Sequence, residues 1–225
     1  MIEGLRLLTI DLDDTLWPCW PTIEAAEQSL KRWIGQHAPR AAHDYDPLAM
    51  RTGRRLIVRD CPHLAHDLTA LRLEALTRLF AAHGYDAELA SAASEHFVNE
   101  RQKVDPYPEV IDTLRALRRH VVLASVTNGN AAIERTPLAG LFELSLTAAE
   151  VGAMRPDPAL FNAALTHFGV SPDEAAHVGD DPVLDVGAAR AVGMRAIWLD
   201  RFGRDWPAEH IAPDARVTTL ADLLP

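Results

Sequence analysis

The chain is poor in cysteine: Cys19 and Cys61 are the two it has. Two thiols outside any CxxC pair cannot build a disulfide framework, so both read as ordinary reduced side chains. Basic residues are also in deficit. Lysine and arginine number 22 against 32 aspartate and glutamate, a formal net charge of −10. That field repels nucleic-acid backbones and anionic lipid head groups, and no basic run offsets it. Neither nucleic acid nor a membrane is therefore expected as a partner. Long apolar runs are missing too, since no stretch reaches the ~18 consecutive apolar residues of a membrane span. The opening Met1-Ile2-Glu3-Gly4 has no signal-peptide character. A soluble, cytoplasmic protein is expected. Internal repeats and low-complexity tracts are absent. What remains is an ordinary globular composition, 48% hydrophobic and 24% charged over 225 residues, enough for one core with an insertion.

The apolar run Leu5 to Ile10 ends abruptly in Asp11-Leu12-Asp13-Asp14, the pattern of a buried strand that delivers carboxylates at its C-terminal end. From Pro21 to about Gln102 the period changes. Ile23, Ala26, Leu30, Trp33 and Ile34, then Leu68, Leu71, Leu76, Leu79 and Phe80, recur at helical spacing. His83-Gly84 reads as a helix stop, and Pro39, Pro47 and Pro62 punctuate loops. Residues 17–102 are thus expected to form an all-helical insertion, with residues 1–16 and 103–225 forming the core.

Beyond Pro108, helices and strands alternate. Strands are expected at Val121 to Val126, Phe142 to Leu146, Ala176 to Val178 and Ala196 to Leu199. Helices are expected around Val110 to Leu117, Ala131 to Leu138, Pro158 to Phe168 and within Val183 to Val192. Such alternation predicts an α/β fold with a Rossmann-like, doubly wound parallel sheet, whose ligands bind beyond the carboxyl ends of the strands. The polar clusters at those ends should converge.

Four clusters stand there. In Asp11-Leu12-Asp13-Asp14-Thr15-Leu16 two acids lie two residues apart on a tight loop. One can attack phosphorus while the other gives a proton to the leaving oxygen and takes one from water. Acids this close repel an anionic substrate, so a hard cation such as magnesium is implied. A calcium EF-hand is excluded, because it needs Gly at 16 and Glu at 22, where Leu16 and Thr22 stand. Thr127, Asn128 and Gly129 end the second strand with a hydroxyl, an amide and an open backbone, suited to phosphate oxygens. Arg155, between Gly152 and two prolines, is placed to neutralise Asp11 and a phosphoryl group. Asp180 can supply another metal carboxylate; Asp181 and Asp185 can orient metal-bound waters or the loop, or cap the following helix.

The order Asp-x-Asp-x-Thr, Thr-Asn, a basic residue before Pro-x-Pro-x-x-Phe, and Gly-Asp-Asp-x-x-x-Asp resembles the four motifs of the haloacid-dehalogenase-like hydrolase superfamily. The resemblance spans residues 7–16 and about 105–200, and it implies a helical cap for the insertion. Carried over, it implies Asp11 as nucleophile, Asp13 as general acid/base, Thr127 as phosphate binder and Arg155 as third-motif cation. Asp11, the backbone carbonyl of Asp13, and Asp180 are similar to that family's magnesium ligands. The cation is most often lysine there, so Arg155 is a departure that changes reach and geometry. Dehalogenases of this type usually lack the second acid, and Asp13 therefore favours phosphate ester chemistry.

Within the superfamily, the phrases around Asp13, Asn128 and Asp180 look like those of bacterial phosphatases that act on FMN and phosphorylated ribitylaminouracil. Trp17 and Trp20 follow the first motif and are placed either to stack on a planar ring or to pack. Arg51, Arg54 and Arg55 read as a solvated helix face, and Cys61, His63, His66 and Asp67 complete no zinc spacing. The expected partner is a small-molecule phosphate ester, with the chain a monomer or homodimer. Nucleotide and sugar-phosphate phosphatases, a phosphomutase and a catalytically weak regulatory binding protein are the alternative functions.

Overall fold

A computed structural model of the chain describes residues 4–224. The chain divides into two compact units, Met1–Pro18 with Asp105–Pro225, and Cys19–Val104. Strand β1, Leu7–Ile10, is buried at every residue, as the centre of a parallel sheet demands.

The second unit is helical: α1 Cys19–His37, α2 Pro39–Ala42, α3 Pro47–Asp60, α4 Leu68–Ala82 and α5 Ala87–Arg101. Its boundaries follow from capping chemistry. Asp46 accepts hydrogen bonds from Leu48 N and Ala49 N ahead of α3, with Pro47 at the first helical position; Asp67 does the same for Thr69 N and Ala70 N ahead of α4. The apolar faces meet in a core that includes Leu30, Ile34, Leu76, Phe80 and Phe97. Beside that core, Glu27 pairs with Arg72 at 2.8 Å and accepts the Tyr45 hydroxyl at 2.6 Å.

The first unit continues with α6 Val110–Leu117, β2 Val122–Thr127, β3 Leu144–Thr147, α7 Ala148–Val151, α8 Ala159–Phe168, β4 Ala175–Gly179, α9 Ala188–Ala191, β5 Arg195–Leu199 and β6 Ala215–Val217. All pairings are parallel, in the order β3-β2-β1-β4-β5-β6. This is the doubly wound sheet that the alternation predicts. The order reverses between β1 and β4, the topological switch point where such sheets bind ligands. The expected helix over Ala131 to Leu138 is instead one 3-10 turn, Ile133–Arg135, because Pro137 has no N–H and drives Thr136 to φ −114, ψ 170. Strand β6 was not expected; three residues are too short to display a period.

Helix α8 packs Phe161, Ala164 and Leu165 with Leu7, Ala124 and Val126 of the sheet. It starts where Asp157 accepts Ala159 N at 2.9 Å and stops at Gly169, whose φ of +58 suits glycine. Among the described residues no helix is long and apolar enough to cross a membrane.

Candidate active site

The first cluster hangs on the sheet by a single extra ladder bond, Asp11 N to Val178 O at 2.9 Å, which aims residue 11 out of the carboxyl edge between β1 and β4. The chain then turns tightly. Leu16 N returns to Leu12 O and Asp14 N to Trp17 O, both at 2.8 Å, and Asp14 takes φ +59, a left-handed conformation that aspartate tolerates. Within the turn Thr15 Oγ1 donates to Asp11 Oδ2 at 3.3 Å, and Trp17 Nε1 donates to Asp13 Oδ1 at 2.9 Å. Trp17 has no exposed surface, so it offers no face to a ligand and instead orients Asp13. Trp20, in the helical unit, is 51% exposed and carries the Arg51 guanidinium 4.4 Å from its ring centroid.

Thr127, at the end of β2, is buried and accepts Gly129 N on Oγ1 at 2.9 Å, which leaves its O–H free to donate. The Asn128 side chain is committed elsewhere. Its Oδ1 accepts Arg155 N at 2.8 Å and its Nδ2 donates to Arg155 O at 2.9 Å. The amide expected to hold phosphate is thus a two-point strap on the arginine loop. That loop is shaped by a capping box between Thr147 and Glu150 and by Gly152 at φ +82, which ends α7.

Arg155 is 3% exposed and bridges two carboxylates, Asp11 through Nη2 and Asp185 through Nη1. Asp185 is buried as well, and takes further bonds from His177 Nε2 at 3.0 Å and Asp181 N at 2.8 Å. Burial alone would raise the Asp185 carboxyl, but Arg155, His177 and the Asp181 amide outweigh it and hold it at about 2. For Asp11 burial wins: with Asp185 and Asp13 adding repulsion, its carboxyl is held well above the usual carboxylate range despite Arg155. Burial, then Asp185 and Asp14, push Asp180 up to about 7 against the opposing Arg204.

These energetics bear on metal binding. Asp11, Asp180 and Asp185 each offer an oxygen, and the three atoms lie within 4.8 Å of one another. Asp11 and Asp180 resist ionisation for want of positive charge, and with the readily ionised Asp185 they make an all-oxygen set that fits a hard divalent cation. It is the one such group found among the described residues. Asp181 caps the turn that follows, accepting Val183 N at 2.7 Å and Leu184 N at 2.8 Å. Asp180 is steadied through its backbone carbonyl by Trp198 Nε1 at 2.9 Å and Arg204 Nη2 at 3.1 Å.

His177 and Arg204 stand outside the four motifs, and Thr15, which closes Asp-x-Asp-x-Thr, carries no distinct role in the sequence alone. His177 carried a faint signal, a polar residue inside a short apolar strand. Its pKa is lowered by burial, and it joins Thr9 (Oγ1 2.9 Å from Nδ1) to Asp185 beneath the site.

An acidic cluster at the switch point of a parallel sheet, with a buried arginine bridging two of its acids, is the arrangement of an α/β-class hydrolase. The chain matches the haloacid dehalogenase-like hydrolase family over residues 5–193, and it belongs to that family. A phosphoserine phosphatase of Thermus thermophilus is 34% identical over 97% of this chain and 98% of its own. The 5-amino-6-(5-phospho-D-ribitylamino)uracil phosphatase YigB of Escherichia coli is 30% identical over 97% and 94%. A solved structure of a 2-haloacid dehalogenase from Pseudomonas syringae pv. Tomato superposes with a TM-score of 0.92 at 37% identity, over 97% of this chain and 96% of that one.

Proposed function

We propose that the chain hydrolyses the phosphate monoester of a small metabolite, with Asp11 as nucleophile and Asp13 as general acid/base. The observation that carries this reading is the pair itself: two carboxylates on one turn, one bound by Arg155 and the other held by the Trp17 indole. Displacement of halide by a carboxylate needs no proton donor, whereas expulsion of an alkoxide does. The names of the relatives divide between phosphatases and dehalogenases, and Asp13 favours the first.

In this mechanism an Asp11 oxygen attacks phosphorus while the bond from phosphorus to the ester oxygen breaks, and Asp13 gives its proton to the departing alcohol. Water then attacks phosphorus of the aspartyl phosphate, Asp13 takes its proton, and phosphate leaves with Asp11 restored. Arg155 offsets charge at Asp11, and the Thr127 hydroxyl donates to a phosphoryl oxygen. Magnesium is the proposed cation; Asp11, Asp180 and the Asp13 carbonyl would hold it with Asp185 behind them, and it would supply positive charge favouring an ionised Asp11 and a phosphate ester beside it. The helical unit takes the part of a substrate-selecting cap in this reading.

For substrate we propose a riboflavin-pathway phosphate, FMN or a ribitylaminouracil phosphate, supported by the motif phrases and by the likeness to the Escherichia coli phosphatase. Phosphoserine is the second reading, favoured by the 34% identity to the Thermus enzyme. A panel of FMN, ribitylaminouracil phosphate, phosphoserine, nucleoside monophosphates, sugar phosphates and 2-chloropropionate, run with magnesium, separates these. Release of inorganic phosphate from one ester, lost in Asp11→Asn, supports the proposal. Chloride release alone, an isomerised sugar phosphate, or ligand binding without turnover overturns it.

A further inference from the structure

Arg201 follows β5 by two residues, outside all four sequence clusters, and its side chain is only 7% exposed. Its Nε and Nη2 both donate to the carbonyl of Thr15, at 3.1 and 2.8 Å. Its Nη1 pairs with Glu109 at 2.8 Å, and its guanidinium carbon stands 3.8 Å from the centroid of the Tyr107 ring. Tyr107 adds a backbone bond of its own, N–H to Leu16 O at 3.0 Å. Two successive carbonyls of the nucleophile turn are therefore gripped from outside it.

This grip reaches the nucleophile. Thr15 is the residue whose hydroxyl donates to Asp11 Oδ2, so fixing the Thr15 peptide fixes where that hydroxyl points. A single donor suffices to satisfy a loop carbonyl; two N–H groups of one planar cation define its direction as well. Burying that cation is costly, and Glu109 with the Tyr107 face offsets the cost while setting the plane of the fork.

We infer that Arg201, oriented by Glu109 and Tyr107, is a positioning residue that sets the pitch of the Asp11–Trp17 turn and, through Thr15, the aim of the Asp11 carboxylate. The catalytic half of this inference rests on Asp11 being the nucleophile proposed above. Arg201 touches no reacting atom. A merely structural role would tie the segment around Glu109 to the sheet edge and leave turnover per folded molecule unchanged.

The test uses the full chain as wild type, Arg201→Met, Arg201→Lys and Glu109→Gln. Two readouts are taken: kcat and KM on p-nitrophenyl phosphate with magnesium, and hydrogen exchange at the tryptophan indoles by nitrogen-15 NMR. Trp17 reports the turn because its indole is bonded to Asp13, and Trp33 in α1 is the internal control. Arg201→Met is expected to lower kcat roughly 10- to 100-fold with little change in KM, the penalty of a displaced reacting group. Trp17 exchange should quicken while Trp33 is unmoved. Arg201→Lys and Glu109→Gln should fall between, which keeps the test informative if the methionine variant folds poorly. A folded Arg201→Met with wild-type kcat, or with an unaltered Trp17 signal, overturns the inference. If the wild type itself turns over no phosphomonoester, the proposed function falls, and Trp17 exchange alone then decides whether Arg201 holds the turn.

Discussion

The Asp185 carboxylate lies on the face of Gly179 where any other residue would carry a side chain; a Cβ at 179 would overlap Asp185 Cγ and Oδ2. This glycine, the last residue of β4, is needed for the absence of bulk. Its φ is not in the left-handed region.

Gly179→Ala must therefore push Asp185 off Arg155, His177 and the Asp181 amide. The expected cost is about 2 to 4 kcal/mol, overpacking plus lost buried hydrogen bonds, read by urea denaturation, with activity falling in parallel. Wild-type stability in this variant would remove Asp185 from the centre of the network.

Arg155 is paired with both Asp11 and Asp185. Arg155→Ala strands two buried carboxylates and is expected to cost about 3 to 5 kcal/mol in metal-free protein. Arg155→Lys should recover only part, since a single ammonium cannot reproduce the fork. Adding Asp185→Asn to the alanine variant should restore stability by removing one stranded charge. Additive losses in that double variant would refute the shared-cation account.

If Asp13 protonates the leaving oxygen, its value depends on how poor the leaving group is. Asp13→Asn should slow an alkyl phosphate far more than p-nitrophenyl phosphate, whose phenolate departs readily without help. Trp17→Phe should show the same selective loss more weakly, because it removes the donor that orients Asp13. Equal losses on both esters would assign Asp13 another role.

The acids also set a pH dependence. Asp180 titrates at about 7 in the fold and near 3.9 in an unfolded chain, so the folded state holds its proton more tightly. That contribution is full at low pH and is lost as pH rises from about 4 through about 7. Asp185 acts oppositely: held at about 2, it stabilises above about 4, and this is lost as pH falls toward 2. Metal-free protein should thus be most stable on the acid side of neutrality. Magnesium should move that optimum upward and release protons on binding at about pH 6. Melting curves with EDTA or magnesium across pH 4 to 8 check this; parallel profiles would argue against a cation at these carboxylates.

In the helical unit, Glu27, Arg72 and Tyr45 form a buried network. Arg72→Met should cost about 3 to 5 kcal/mol by leaving Glu27 unpaired, and pairing it with Glu27→Leu should return much of that loss. A thermal-melt double-mutant cycle with no coupling would contradict the ion pair.

The core sheet was legible because its strands are short apolar runs that end in polar residues, and β1, β2, β4 and β5 fall close to where those runs stand. The helix expected from Ala131 failed on a local rule that was visible, the proline at 137. The candidate site was legible where chemistry sits at a strand end, as with Asp11 and Asp180. It was illegible where a side chain is spent on a distant backbone. Asn128 looked like a phosphate ligand, yet its amide is bonded to Arg155, 27 residues away. Arg201 lies 186 residues from the Thr15 carbonyl it holds, a pairing that only the parallel sheet brings about. His177 read as strand, since periodicity cannot tell a packed histidine from one that braces Asp185.

The central claim is covalent: phosphorus passes through Asp11. The most direct measurement is an acid quench of magnesium-loaded enzyme during turnover, borohydride reduction, and peptide mass spectrometry of the segment containing residues 11–16. Reduction of an aspartyl phosphate leaves homoserine at position 11, and this product should appear in the wild type and be absent in Asp11→Asn. Sustained phosphate release with an unmodified Asp11, or with the label at another residue, would contradict the account.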